Sequence, residues 1–164
     1  MMSACVTELL DDIEENHNTN YKAMAQVVRR IYDNIGFENY GVPFAMIVEA
    51  EPLGAKVQIG DKIVEERVIE YNNAPLEEIM KNHKVVPRNE SRMSTVLRAI
   101  EELKNDEIPV IGNVTGHMST ATSAIDPLMF LKMLRKEPEK AYEFLRYINE
   151  YLIKSITKNC IDYR

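Results

Sequence analysis

The chain has 164 residues, of which 45% are hydrophobic and 28% charged, with 6 glycines and 7 prolines, as in one ordinary globular domain. Its net charge of −6 is spread along the sequence, which argues against a nucleic-acid surface or an anionic membrane patch. Cys5 and Cys160 stand far apart, and the acidic start lacks the apolar run of a signal peptide, so we predict a cytoplasmic protein with reduced thiols that spans no membrane.

Two amphipathic helices are predicted first along the chain. Apolar residues at helical spacing indicate a short helix over residues 3–15. A second helix begins in the polar segment HNTN and ends near Gly36, because such residues favour helix starts and glycine favours helix ends. Its apolar face comprises Met24, Val27, Val28, Ile31 and Ile35.

A strand and a hairpin follow. The nearly continuous apolar run over residues 42–50 predicts a strand buried on both faces, as in a parallel sheet covered by helices. In residues 55–71, Val57 and Ile59 alternate with polar residues, and Gly60 and Asp61 offer turn chemistry, so we predict a β-hairpin.

The next segments predict a parallel crossover. A short helix is expected near residues 76–80, and a longer one over residues 90–105 with a regular apolar face. The apolar segment 108–114 then predicts a second buried strand, in which Asn113 is the last polar residue. Because a helix stands before this strand, we expect the strand to run parallel to the first.

The C-terminal third is predicted to be helical. The segment TGHMSTATSAI consists of a glycine turn followed by a Ser/Thr-rich stretch. Asp126 and Pro127 then supply the N-cap and the first residue of the next helix. Glu137 and Pro138 begin a last long helix, whose predicted apolar face is Ala141, Leu145, Ile148, Leu152 and Ile156.

The candidate site lies where the two predicted parallel strands end, because ligands of parallel α/β proteins bind at the carboxyl ends of strands. Polar residues follow both strands at these points. We predict that six of them bind substrate: Glu49, Glu51, Asn113, Thr115, His117 and Ser119. No catalytic residue is assigned from the pattern.

Each part of this site allows two interpretations. The TGH turn either presents backbone N–H groups with His117 and Ser119 to an anionic or carbonyl group, or is a glycine turn with Ser119 and Thr120 as helix caps. Glu49 and Glu51 could form an acid–base pair. If the strand continues through them, however, their side chains lie on one face and repel each other. One of the two could equally be exposed in a loop.

No metal site is predicted within the chain. Its soft candidate ligands lack the paired spacing of zinc sites: Cys5, Cys160, His17, His83 and His117. Motifs for phosphate or dinucleotide binding and the hydrolase GxSxG motif do not occur either.

Two segments carry a family resemblance: VPFAMIVEAEPLGAKVQIG at residues 42–60 and IPVIGNVTGHMSTATSAIDPLMFLKMLRKEPEKAYEFLRYINEYLI at residues 108–153. They resemble the uroporphyrinogen decarboxylase superfamily, and within it the cobalamin-dependent methylcobalamin:coenzyme M methyltransferases. The resemblance implies an α/β fold, a partial TIM-barrel-like fragment with parallel strands, flanking helices and one β-hairpin. It implies that residues 1–164 form a single domain, like the N-terminal part of such a barrel, that binds a tetrapyrrole or corrin-type partner.

The sequence departs from the family pattern at informative places. The arginine-rich signature of the decarboxylases has no counterpart, and Ala45 stands at the position of their catalytic aspartate. His117 replaces the usual proline after the glycine. The methyltransferases bind zinc through a His-x-Cys and a distant Cys in the later half of the barrel, and we expect this chain to end before that half. Zinc and a corrinoid are therefore implied for the full-length family, with no cofactor held by this chain.

The resemblance predicts a truncated or split member of the family, related to methyl transfer from methylcobalamin to a thiol and inactive alone. Exposed strand edges predict a homo-oligomer or a complex with a complementary barrel fragment, and a corrinoid or corrinoid protein is a further expected partner. The alternatives are a non-catalytic corrinoid- or tetrapyrrole-binding or assembly module, and a fragment of a decarboxylase-like enzyme, against which Ala45 argues.

Overall fold

The computed structural model describes residues 17–60, 64–81 and 91–161. The predicted helix over residues 3–15 lies outside them. Their helices and strands are, in chain order, α1 Tyr21–Ile35, β1 Tyr40–Val42, β2 Lys56–Gln58, β3 Arg67–Glu70, α2 Leu76–Lys81, α3 Arg92–Leu103, β4 Val110–Gly112, α4 His117–Ala124, α5 Pro127–Lys136 and α6 Pro138–Ile161. One-turn 3₁₀ helices occupy Glu51–Leu53 and Lys104–Asp106.

The described residues fall into two compact units. The first unit takes in residues 17–46, 58–60, 64–67 and 91–114, and therefore contains α1, β1, α3 and β4. The second takes in residues 47–57, 68–81 and 115–161, with α2, α4, α5 and α6. The prediction of one domain over residues 1–164 stays a prediction.

Helix α1 begins and ends where the sequence predicts. The Asn20 side chain accepts the N–H groups of Lys22 and Ala23 at 3.0 and 3.4 Å. Gly36 ends the helix with φ 81°, a left-handed conformation that favours glycine. Of the predicted apolar face, Met24, Val27, Val28 and Ile31 are buried, whereas Ile35 is 40% exposed.

The first unit contains a parallel strand pair, whose first strand lies before the predicted one. Strands β1 and β4 run in the same direction, with Tyr40 opposite Val110 and Val42 opposite Gly112. The expected burial of the second strand is wrong, because Ile111 of β4 is 48% exposed. In the described part of the chain this sheet has only two strands, and β4 is therefore left partly uncovered.

The predicted long strand over residues 42–50 is also wrong, because β1 ends at Val42. Pro43 has no N–H group and cannot continue the ladder. The last bond of the ladder is the one in which the Val42 carbonyl accepts the N–H of Asn113, at 2.6 Å. Residues 48–50 form a turn, so Glu49 and Glu51 do not lie on a strand and the reason to expect them on one face disappears.

The predicted hairpin is confirmed, since β2 and β3 pair in a two-stranded sheet. Lys56 contacts Glu70 at 2.7 Å and Arg67 contacts Gln58 at 2.9 Å, so the two strands run in opposite directions. Gly60 is required on the way to β3, because a Cβ there would collide with the backbone of Val64.

The second unit has a helical core, in which α6 packs against α4 and α5. Asp126 caps α5 by accepting the Met129 N–H at 2.8 Å, with Pro127 as the first helical residue, as predicted. Phe130 and Phe144 are fully buried, with ring centroids 6.4 Å apart. The described residues of the predicted α6 face are buried: Ala141, Leu145, Ile148 and Leu152.

No helix within residues 17–60, 64–81 and 91–161 has both the length and the apolar character needed to cross a membrane.

A partly buried ion pair joins α1 to the end of the α3 region in the first unit. Arg29 donates to both carboxylate oxygens of Asp106, at 2.5 and 2.9 Å. The hydrogen bond and charge of Arg29 lower the pKa of Asp106 below its ordinary value. The pair therefore adds stability at neutral pH that is lost as the pH falls through the lowered pKa.

Replacing Asp106 with Asn is expected to cost about 1 kcal/mol of unfolding free energy at neutral pH. This cost should shrink as the pH falls below about 4, because Asp106 then takes up a proton in the unfolded chain, and it should disappear once the pH is below the lowered pKa of the folded state. Urea unfolding at about pH 7 and about pH 3 measures the difference. Glu101→Gln, at an exposed position on α3, is the matched control. A cost of Asp106→Asn that is the same at both pH values would contradict the assignment.

Candidate functional site

The candidate site is built around a hydrogen bond between two of the predicted residues. Glu49 is 5% exposed, and its Oε1 accepts the backbone N–H of Thr115 at 3.0 Å. The two residues are 66 positions apart in sequence, and both belong to the second unit. The structure thus joins the segment after β1 to the turn that precedes α4.

Hydrogen bonds from Thr120, a residue of α4, also stabilise the turn that precedes this helix. The Thr120 hydroxyl donates to the Thr115 carbonyl at 3.3 Å, and the Thr120 N–H donates to the Gly116 carbonyl at 2.9 Å. The expected capping by Ser119 and Thr120 is wrong, because Gly116 is the N-cap residue and both hydroxyl residues lie within α4. Thr120 contributes by bonding backwards to the turn.

The remaining predicted site residues lie in different settings. His117 and Ser119 are exposed on the first turn of α4. Glu51 is half-buried at the start of the 3₁₀ helix that follows Glu49. Asn113 belongs to the first unit, where it is exposed and follows β4 instead of lying within it. Their assignment as substrate-binding residues stays a prediction.

Sequence reasoning missed Tyr151, which lies beside Glu49. Tyr151 is 1% exposed, and its hydroxyl donates to the Glu49 backbone carbonyl at 3.3 Å. Burial raises the pKa of Tyr151 far above its ordinary value, and the Glu49 carboxylate raises it further, while a hydrogen bond with Ser155 acts in the opposite direction. Tyr151 therefore stays neutral and remains a hydrogen-bond donor.

A weak sequence signal for Tyr151 exists. Phe144, Ile148, Tyr151 and Ser155 repeat at spacings of four, three and four residues, which places them on one face of α6. All four are buried. Two polar residues within an apolar helical stripe indicate buried hydrogen bonds, since buried hydroxyl groups are almost always paired.

Helix α4 is held at its C-terminal end by Asn72. The Asn72 N–H donates to the Ala124 carbonyl at 2.8 Å, and the Asn72 side chain donates to the Leu53 carbonyl at 2.8 Å. Gly54 has φ 95°, and a Cβ there would lie 2.5 Å from Asn72 Nδ2. Bonds at both ends thus fix α4 and the position of its first turn.

The start of α4 places an acceptor beside donors. Glu49 Oε2 is buried and has no hydrogen-bond partner among the residues that the structure describes. The first N–H groups of α4 have no intrahelical acceptor, and Gly116 supplies no side-chain cap. The helix dipole also favours a carboxylate near this end. The arrangement suits the binding of a polar ligand.

The described residues do not fit a zinc centre. In residues 17–60, 64–81 and 91–161, no three His, Cys, Asp or Glu side chains come together to hold a metal ion. The zinc that the resemblance implies therefore has no ligand set in this part of the chain.

The fold and the site define an α/β protein with a parallel strand pair and polar residues after the second of these strands. Residues 14–162 match the family model described as uroporphyrinogen decarboxylase (URO-D). The chain therefore belongs to the uroporphyrinogen decarboxylase family.

Two curated relatives are methyltransferases. The chain is 33% identical over 103 residues to the methylcobamide:CoM methyltransferase MtbA of Methanosarcina mazei. It is 34% identical over 101 residues to MtbA of Methanosarcina acetivorans. Each match covers 60% of this chain and 30% of the relative, so the matched region is under a third of the length of those proteins.

A solved structure shows the same fold. A methyltransferase from Methanosarcina mazei matches 97% of this chain and 49% of its own, with a TM-score of 0.78 and 17% sequence identity. At this identity the likeness establishes the fold alone. The chain thus has the fold of about half of that methyltransferase.

Proposed function

We propose that this chain takes part in methyl transfer from a methylcobamide to a thiol, and that it supplies part of the wall against which the corrinoid binds. The observation that supports this proposal most directly is the buried Glu49 carboxylate, which accepts a hydrogen bond from the Thr115 N–H at 3.0 Å, just before α4. The similarity to two methylcobamide:CoM methyltransferases supports this choice over a decarboxylase. Ala45, where the decarboxylases carry their catalytic aspartate, supports it as well.

The proposal gives the site residues separate tasks. Glu49, Thr115 and Thr120 fix the turn before α4, and Tyr151 fixes the backbone of Glu49. His117 and Ser119 are exposed, so their side chains are accessible to a ligand. Glu51, in the same unit, completes the set of residues proposed to line the pocket.

The methylcobamide supplies the methyl group when it is bound, and zinc, in the methyltransferases that the chain resembles, keeps the acceptor thiol as a thiolate. The described residues hold no zinc ligand set. We therefore propose that thiol activation comes from elsewhere in the assembled fold, and that the described part binds and orients the corrinoid.

A partner is part of the proposal. In the first unit, Ile111 and Val114 are each 48% exposed, and exposed apolar residues beside a short sheet favour association with another chain. The proposed partner is a second copy of the chain or a complementary fragment of a TIM barrel.

The purified chain, mixed with methylcobalamin, zinc and 2-mercaptoethanesulfonate as thiol, is expected to bind the corrinoid and to form no thioether. Absorbance spectra report the binding, and mass spectrometry reports the thioether. Light scattering on the same sample should give a mass above that of the monomer.

Each measurement contradicts a different part of the proposal. Thioether formation by the chain alone would show that its own residues activate the thiol. An unchanged spectrum up to high corrinoid concentration would remove the role in methyl transfer. A monomer mass, with no change on adding a complementary barrel fragment, would remove the partner.

A further inference from the structure

We infer that the start of α4 is a subsite for a primary carboxamide. This inference rests on the proposed function, because the periphery of a corrin ring carries several such groups. It goes beyond corrinoid binding by stating which chemical group is recognised and by which atoms. The supporting residues all belong to the second unit.

The first half of the subsite is a set of donors. Helix α4 has eight residues, and the N–H groups of its first turn lack intrahelical acceptors. They belong to His117, Met118 and Ser119, and the N-cap Gly116 offers them no side-chain acceptor. All three residues are exposed, so a carbonyl oxygen from a ligand can reach this turn.

The second half is an acceptor. Glu49 is 5% exposed and its Oε1 is bonded to Thr115, directly before the N-cap. Its Oε2 has no partner within the described part of the chain. Because both oxygens share one carbon atom, Oε2 also lies close to this turn. A buried carboxylate oxygen without a donor is costly, so a ligand that donates to it gains stability.

The charges at the subsite select among ligand classes. An anionic ligand would be repelled by Glu49, and a cation would meet the positive end of the α4 dipole. An ester or ketone can only accept hydrogen bonds and leaves Oε2 without a partner. A primary carboxamide carries an accepting oxygen and two N–H donors on one planar group, and it therefore satisfies both halves.

Because Oε2 is buried, the inferred subsite requires the turn to move when the ligand binds. Gly116 has open space around the position where a Cβ would be, so the turn has room to shift. The Thr115 N–H remains the fixed partner of Glu49 Oε1. Binding should therefore change the environment of residues 116–119 and leave α6 in place.

The test compares two corrinoids that share the ring and the metal. Dicyanocobinamide carries carboxamides at the ring edge, whereas dicyanocobyrinic acid heptamethyl ester carries esters, which accept but do not donate. Wild-type protein should bind the amide about tenfold more tightly or better, as expected for a hydrogen bond to a charged acceptor. Absorbance titration measures both affinities.

Glu49→Gln should lower the amide-to-ester affinity ratio by about tenfold. The Gln oxygen would keep the bond to Thr115 and turn an N–H donor towards the ligand, where an ester oxygen suits it better than an amide N–H. Glu143→Gln removes an exposed carboxylate from α6 of the same unit and should leave the ratio unchanged. Thermal unfolding of each variant checks that it is folded.

The outcomes separate this inference from the proposed function. Equal binding of the two corrinoids, or a ratio unaffected by Glu49→Gln, would overturn the carboxamide subsite while corrinoid binding stands. Binding of neither corrinoid would overturn the proposed function. In that case NMR still tests the subsite: acetamide should shift the amide resonances of residues 117–119, and N,N-dimethylacetamide, which has no donor, should not. Equal shifts, or none, would refute it.

Discussion

Replacing Arg92 with Met is expected to lower the free energy of unfolding of the first unit by about 3 to 5 kcal/mol. Arg92 Nη1 lies 2.5 Å from Glu66 Oε1, and the two side chains are only 9% and 6% exposed. Removal of Arg92 leaves the Glu66 carboxylate buried beside an apolar side chain. The loss reflects the cost of a buried charge that no longer contacts Arg92 more than the strength of the pair itself.

A double variant separates these two contributions. Glu66→Leu combined with Arg92→Met should regain most of the lost stability, because no charge then remains buried. Urea unfolding of the single and double variants completes the thermodynamic cycle. Lys56→Met breaks an ion pair whose side chains are 66% and 55% exposed, and should change stability little. An effect of Arg92→Met no larger than that of Lys56→Met would contradict the prediction.

Replacing Tyr151 with Ala is expected to cost about 3 to 5 kcal/mol, because a large side chain that is 1% exposed leaves a cavity in the core of the second unit. Tyr151→Phe keeps the ring and removes only the hydroxyl. Its expected cost is about 1 kcal/mol, since the Glu49 carbonyl and Ser155 each lose a hydrogen-bond partner.

Tyr142 provides the control on the same helix. It is 53% exposed, so Tyr142→Ala and Tyr142→Phe should both have small effects on the thermal unfolding midpoint. Amide resonances of residues 115–119 should shift in Tyr151→Phe and stay in place in Tyr142→Phe. If Tyr151→Phe leaves both the midpoint and these resonances unchanged, the hydroxyl does not support Glu49.

The features predicted from sequence are those with local causes. Helices α1 and α5 begin at Asn20 and Asp126, whose side chains bond to N–H groups only two or three residues further on. The parallel direction of β4 follows from the helix that precedes it. In each case, the residues that determine the structure stand next to it in the sequence.

The strand prediction over residues 42–50 failed for an equally local reason. The apolar run predicts a strand, but it contains Pro43, which has no N–H to donate to a ladder, and β1 ends directly before this residue. The expected burial of β4 failed for a different reason. Apolar composition indicates that a surface needs cover, and Ile111 remains 48% exposed within the described residues.

The candidate site was partly predictable. Glu49 and Thr115 stand at the ends of the two predicted parallel strands, and the structure bonds them to each other. Tyr151 was missed because it is 102 positions from Glu49 and its spacing on α6 is that of a core residue. Every residue has a backbone carbonyl, so the residue type at position 49 does not indicate that its carbonyl accepts a hydrogen bond from Tyr151.

The two-ended support of α4 has a consequence for protein engineering. Asn72 bonds to the carbonyl of Ala124, and the Thr115 turn is fixed by Glu49 and Thr120. None of these bonds uses the side chains of His117 or Ser119, which lie exposed between them. Substitution libraries at positions 117 and 119 can therefore vary ligand preference without disturbing the bonds that hold the helix.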